Sequence, residues 1–339
     1  MNFQKLYSLI EGSRFDICNK KCTFDPINFI YRSKGKVEVK LLKILMSNDC
    51  KSDCKYCPNA WKKGFSITPK DLEKLFFTMK ENKLIDGIFI SSAVNSDPDT
   101  VMEKILEAAE LIRRKFNGYI HLKIMPGCSK HNIKRALEIA NRVSINAETV
   151  SQEIMSELSS FKDLKEILRI EKQISREVTR FKKSGLKKSF TTQIIVGVGE
   201  NDVEILKSIE KHYKLGVSRV YFSAFTPIRG TPFENRKREN KRRIINLYRV
   251  DALIRKYGYK TKDFTKIIDE NLPNIDPKIL FAESHENLEL IQIPGIGPKL
   301  AKMLEDGYSF TDLKRMGFSI KRAVPYLKQQ LKLSDFNIQ

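Results

Sequence analysis

Leu41-Leu42-Lys43-Ile44-Leu45-Met46 runs straight into Ser47-Asn48-Asp49-Cys50-Lys51-Ser52-Asp53-Cys54-Lys55-Tyr56-Cys57-Pro58. An apolar run of strand length ends here in a loop that carries cysteines at C-x3-C-x2-C spacing. Thiolates this close in one loop can converge on a single metal centre. A closed structural zinc site or a ferredoxin-type cluster takes four ligands. Three leave one position open, which is what a catalytic metal needs. Cys50, Cys54 and Cys57 are therefore the candidate metal ligands.

Working outward, β-rich runs alternate with helical stretches from residue 39 onward. The strands are expected at 39–47, 87–94, 119–125, 142–148, 189–197 and 219–226. The helices between and after them are expected at 69–82, 98–116, 130–141, 151–183, 202–215 and 239–257. Thr68-Pro69 is a helix start, with Thr as N-cap and Pro at the first helical position. Strands joined by helices imply parallel pairing through right-handed crossovers. Six such units give a partial (β/α)6 TIM-like barrel, an α/β fold, rather than a closed eightfold one.

A parallel strand buried on both faces reads apolar throughout; several of these alternate. Ile120, Leu122 and Ile124 are interleaved with His121, Lys123 and Met125. Val143, Ile145 and Ala147 are interleaved with Ser144, Asn146 and Glu148. Val220, Phe222 and Ala224 are interleaved with Tyr221, Ser223 and Phe225. One parity packs on helices and the other lines a polar lumen. The alternative is an antiparallel sheet with a wet face. Active sites of parallel barrels lie at the C-terminal strand ends, where the cysteine loop, Asn95, Glu148, Gly197 and Thr226 all fall.

The chain has 339 residues, 41% of them hydrophobic, enough for a large domain and a small one. Residues 1–38 are an unpatterned N-terminal extension, 39–265 the barrel, and 266–339 a small all-α domain. Within the last, Ile293-Pro294-Gly295-Ile296-Gly297-Pro298-Lys299-Leu300-Ala301 reads as a helix-hairpin-helix turn. Gly295 and Gly297 would expose backbone amides to a DNA phosphate, helped by Lys299 and Lys302. A helical protein-docking module is the alternative. Residues 311–327 resemble a degenerate second hairpin.

With 62 Lys and Arg against 41 Asp and Glu, the net charge is +21, which favours a polyanionic partner or else reflects a Lys-rich solvated surface. The runs 229–243 and 176–188 are the most basic. No apolar stretch is long enough to span a membrane and the start has no signal-like apolar region, so a soluble, cytoplasmic protein is expected. Six cysteines, three of them clustered, point to metal rather than disulfides. Cys18 and Cys22 are either a second site or ordinary thiols, and Cys128 is structural.

The loop from Cys50 to Cys57, with Tyr56 before the third Cys, resembles the cluster loop of the radical S-adenosylmethionine (SAM) superfamily. That resemblance implies a [4Fe–4S] cluster on the three cysteines, with SAM on the fourth iron, and reductive cleavage of SAM followed by hydrogen abstraction. It further implies SAM contacts at Tyr56, at Ser144, Asn146 and Glu148, and at Ile195 and Gly197 of the G-x-I-x-G-x-x-E-like run from Gln193 to Glu200. Ser91 and Ser92 stand where many relatives have Gly-Gly-Glu, and Ala224 would meet adenine through its backbone.

Segments 41–45, 89–92, 118–127, 221–227 and 230–232, together with the Pro294–Gly297 turn, are similar to radical SAM proteins grouped with DNA modification or repair. That subgroup implies DNA as substrate and partner, a uracil-DNA-glycosylase-like protein as associate, and a ferredoxin or flavodoxin as reductant. Lys123 is the candidate catalytic residue; His121 is a lumen residue or a satisfied core one. The expected function is hydrogen abstraction from a nucleotide in or from DNA. The alternatives are an RNA-acting radical SAM enzyme, such as a tRNA modifier, or a non-enzymatic Fe–S protein that binds nucleic acid.

Overall fold

In the computed structural model, residues 3–13, 22–25, 30–34 and 38–330 are described. Eight strands form one sheet in strict sequence order. They are β1 (Cys22–Asp25), β2 (Ile30–Lys34), β3 (Glu38–Leu45), β4 (Gly87–Ser91), β5 (Tyr119–Lys123), β6 (Arg142–Ser144), β7 (Ser189–Val196) and β8 (Arg219–Ala224). The pairs from β3 to β8 are all parallel, and the sheet curls into the expected half-barrel.

Helix α1 (Phe3–Gly12) precedes the sheet. The crossovers carry α2 (Pro69–Glu81), α3 (Pro98–Arg113), α4 (Lys130–Ile139), α5 (Gln152–Leu158) with α6 (Leu164–Lys183), and α7 (Asp202–Lys214). Short polar side chains start these helices. Thr68 and Asp71 form a capping box at α2, with Pro69 in the first turn. Asp97, Ser129 and Asp163 cap α3, α4 and α6.

The alternation of the strands is resolved by which side the helices cover. Leu42, Ile44, Ile88, Ile90, Ile120, Leu122, Val143 and Ile145 are fully buried, together with Leu72 and Phe76 of α2 and Ile105 and Leu106 of α3. In register on the other parity stand Lys43, Phe89, His121 and Arg142, and these face the lumen.

Three expectations are corrected. Where an unpatterned N-terminal extension was expected, the described residues include β1 and β2, which with β3 form an antiparallel meander that continues the sheet, and Leu9 and Ile10 of α1 are fully buried. Strands of four and five residues with charged members leave little periodic signal. The expected helix 151–183 is broken, α5 and α6 being separated by Ser159–Asp163, because Asp53 of the cysteine loop captures Ser159 and Ser160. The expected strand 142–148 is regular for three residues only; Glu148 then adopts a left-handed φ of 63° and forms a bridge to Ile194.

Two compact units emerge, residues 1–200 with 208–239, and 201–207 with 240–339. The second therefore takes in α8 (Lys241–Tyr257), where the sequence suggested a boundary after residue 265. It continues with α9 (Thr261–Thr265), α10 (Pro277–Glu283), α11 (Pro298–Glu305), α12 (Phe310–Arg315) and α13 (Val324–Gln330). Its core holds Ile293, Ile296, Ala301, Ala323 and Leu327. Asp202 is fully enclosed and binds Arg243 at 2.8 Å and the Leu272 amide at 2.8 Å. Among the described residues, no helix is long and apolar enough to cross a membrane.

Candidate active site

The cysteine loop leaves the C-terminal end of β3 and is tied down on every side. The Lys51 amide donates to Val94 O at 2.8 Å, and the Lys55 amide to Leu158 O at 2.9 Å. The Asp53 carboxylate accepts from the Ser159 hydroxyl at 2.5 Å and the Ser160 amide at 2.9 Å. The Trp61 indole donates to Cys54 O at 2.9 Å. Gly64 passes so close beneath that a Cβ there would lie 2.2 Å from the Asp49 nitrogen. Only glycine permits this approach, and the Asn48 side chain accepts from the adjacent Phe65 amide at 2.6 Å.

Cys50, Cys54 and Cys57 all line one cavity of about 530 Å³ at the C-terminal strand ends. Its walls hold Tyr56, Ser91, Ser92, Lys123, Asn146, Glu148, Ile195 and Ala224. Eight of the residues anticipated from the sequence thus meet the three cysteines in one space. Two do not. Ser144 lies off this wall and faces a second, lower cavity of about 360 Å³, where its hydroxyl is 3.0 Å from His121 Nε2. Gly197 also lies off the wall; its amide donates to Glu200 Oε1 at 2.7 Å, so Glu200 braces the turn.

Burial and the neighbouring Cys54 push the Cys57 thiol up to about 12, so this thiol stays protonated until a cation compensates it. Among the described residues, no three His, Cys, Asp or Glu side chains converge closely enough for a single ion. A cubane places its thiolates on separate irons and tolerates that wider spacing. Three cysteines facing one cavity whose largely apolar wall carries a few polar side chains therefore fit a cluster with an open iron.

Lys162, not anticipated from the sequence, stands in the same wall. Its ammonium lies 2.6 Å from Glu148 Oε1 and 3.0 Å from the Tyr56 hydroxyl. Burial opposes its charge, but Cys54, Glu148 and Tyr56 outweigh burial and hold it well above the usual lysine range. Burial, and then Glu148, push the Tyr56 phenol up. The neighbouring Phe161 also lines the cavity and is 71% exposed. Neither residue carries a motif; the one available signal was Ser159-Ser160, a pair that interrupts a helical pattern. Lys123 is buried and donates to Asn146 Oδ1 at 2.5 Å.

A model of the "Radical SAM superfamily" matches residues 44–212, from the core of β3 to the end of α7. The chain belongs to the radical SAM superfamily. A protein of uncharacterised function from Methanocaldococcus jannaschii is 24% identical over 85% of this chain and 80% of its own length. A biotin synthase from Acetivibrio thermocellus is 27% identical over 63% of this chain and 65% of its own length. The chain thus spans somewhat under two thirds of that enzyme. Among solved structures, methylornithine synthase gives a TM-score of 0.49 at 16% identity, over 59% of this chain and 57% of the other.

Radical SAM enzymes use a [4Fe–4S] cluster and SAM, and Cys50, Cys54 and Cys57 are the residues of this chain that would hold that cluster. When bound, the pair supplies reductive cleavage of SAM to methionine and a hydrogen-abstracting 5′-deoxyadenosyl radical.

In the second unit, the Gly295 turn follows a 3-10 turn, Leu290–Gln292, and Gly297 caps α11. Gly295 has φ +90° and a Cβ there would lie 2.9 Å from Arg322 Cβ. Lys299 and Lys302 are exposed, Lys299 lying over the Phe318 ring at 4.9 Å. Lys278 is buried beneath the turn and donates to Ile296 O. Of the remaining cysteines, Cys128 is buried and free; Cys18 and the side chain of Cys22 lie outside the described residues.

Proposed function

We propose that this radical SAM enzyme abstracts a hydrogen atom from a nucleotide in or derived from DNA, in modification or repair. The observation that carries the radical chemistry is the meeting of Cys50, Cys54 and Cys57 with Ser91, Asn146, Glu148, Ile195 and Ala224 in one cavity. In this reading the Lys162–Glu148 pair is set for the zwitterionic end of SAM, the ammonium taking its carboxylate and the carboxylate its amino group. Ile195 and the Ala224 backbone flank adenine. Lys123, held by Asn146, points an ammonium toward the substrate. The largely apolar cavity wall keeps water from the reacting atoms.

DNA is supported by the net charge of +21, the Gly295–Gly297 turn with its exposed lysines, and the likeness to the DNA-linked subgroup. The partners that follow are a ferredoxin- or flavodoxin-type reductant and a uracil-DNA-glycosylase-like protein.

Anaerobic reconstitution with iron and sulfide, followed by reduction with SAM, should yield 5′-deoxyadenosine. Cys54→Ala should yield none, and undiminished product from that variant sinks the radical reading. Gel shifts with duplex DNA and tRNA separate the polymers. The DNA reading expects duplex to be retained with a steep salt dependence and lost on substitution of Gly295 and Gly297. Preference for tRNA would move the reaction to RNA. Mass spectrometry of nucleosides after turnover then identifies the altered unit.

A further inference from the structure

Beneath the upper cavity lies the second one, about 360 Å³, lined by the inward parity of the barrel strands and by Tyr31 and Arg32 of the N-terminal hairpin. Lys123, Asn146 and Gln193 line both spaces, so the two share a wall. Lys43, Lys123, Arg32 and Arg142 bring four cationic side chains to the lower cavity, and none of its described lining residues is acidic. Lys43 and Lys123 are only 8% and 9% exposed. Arg32 meets its carboxylate partner, Glu38, at the more exposed rim. Every charge that acts on His121 is a cation, namely Arg142, Lys123 and Lys43; with burial, they hold its imidazole well below the usual histidine range. Its ring lies 4.3 Å from that of Phe89, and Lys43 sits 4.8 Å above Tyr31 and 5.1 Å above Phe89.

A cavity lined by cations and aromatic rings, with no acidic side chain among its described lining residues, is complementary to an aromatic anion, and its size is that of a small-molecule site. We propose that the lower cavity seats the phosphate or carboxylate of a free, nucleotide-sized aromatic substrate between Lys43, Lys123 and Arg142, with the rest of that molecule directed up toward the cysteines. This rests on the reading of the upper cavity as the SAM site, and it narrows the substrate. A nucleotide still joined to a strand enters a pocket base first, with its phosphates left at the mouth. An anion seated at the bottom of the lumen belongs to a detached molecule.

The test uses the full chain with its cluster reconstituted and SAM bound. Calorimetric titrations compare deoxynucleoside 5′-monophosphates, an aromatic carboxylate such as benzoate, the uncharged nucleosides and a short single-stranded oligonucleotide. A monophosphate or the carboxylate should bind at least tenfold more tightly than the nucleosides, and whichever does so names the anionic group. Lys43→Met and Arg142→Met should each weaken that ligand at least tenfold while leaving SAM affinity and the visible absorption of the cluster unchanged. Lys43→Arg should restore most of the loss. Equal binding of nucleoside and monophosphate, tighter binding of the oligonucleotide, or unchanged affinity in both methionine variants overturns the proposal. Failure of the upper site is distinguishable, because it appears as absent SAM binding or absent 5′-deoxyadenosine in the wild type.

Discussion

Lys162 and Glu148 meet at 2.6 Å with little exposure on either side. Removing one partner of such a pair strands the other charge, which costs about 3–5 kcal/mol when burial is complete and less where water still reaches it. Lys162→Met should therefore destabilise the apo protein by about 2 kcal/mol and lower SAM affinity about tenfold, a change of ~1.4 kcal/mol. Adding Glu148→Gln should cost less than the sum of the single changes, because the two residues share one interaction. Urea melts and SAM titration of the four proteins check this; strict additivity would mean the pair is not coupled. At this scale the sequence is legible where chemistry fixes spacing. Cys50, Cys54 and Cys57 follow from C-x3-C-x2-C, and Glu148 and Asn146 from parity along a strand. Lys162 has no such rule, because it reaches the cavity from an irregular segment whose course is set by Asp53, about a hundred positions upstream.

The elements were legible through their caps and alternation, and their ends were not. Thr68-Pro69 announced α2 because the cap is local chemistry. The break between α5 and α6 is tertiary: Ser159 and Ser160 leave helix geometry to bind a carboxylate on another loop. Gly64 belongs to the same category, since nothing in its neighbours reveals the Asp49 backbone lying against it. Gly64→Ala has no flexible side chain to displace there, only main chain. It should push the cysteine loop outward at a cost of about 1–3 kcal/mol. Iron content after reconstitution should fall well below that of the wild type, and a variant with full iron content and unchanged melting would show that the loop yields easily.

Across the whole molecule, the sequential parallel sheet followed from repeated strand–helix units. The antiparallel N-terminal meander did not, because short polar strands look like loops until a partner edge is known. The second unit carries its own titration. Burial pulls Lys278 down to about 8, Asp276 opposing only in part, whereas an unfolded lysine titrates near ~10.4. Below pH 8 both states hold the proton and the burial penalty is complete. Between about 8 and 10.4 the unfolded chain binds more protons, so stability rises with pH there. The wild type should therefore gain up to about 3 kcal/mol relative to Lys278→Met between pH 7.5 and 10. Melts at each pH check the difference, and parallel curves would count against a buried, shifted lysine.

The chain has a single tryptophan, Trp61, and its indole is fastened to the carbonyl of Cys54. All tryptophan emission from this protein thus originates beside the cluster loop. Iron–sulfur chromophores absorb across the emission band of indole, so filling the loop should darken the protein and losing iron should brighten it. The molecule contains its own optical gauge of cluster assembly, readable without any label and silenced by Trp61→Phe.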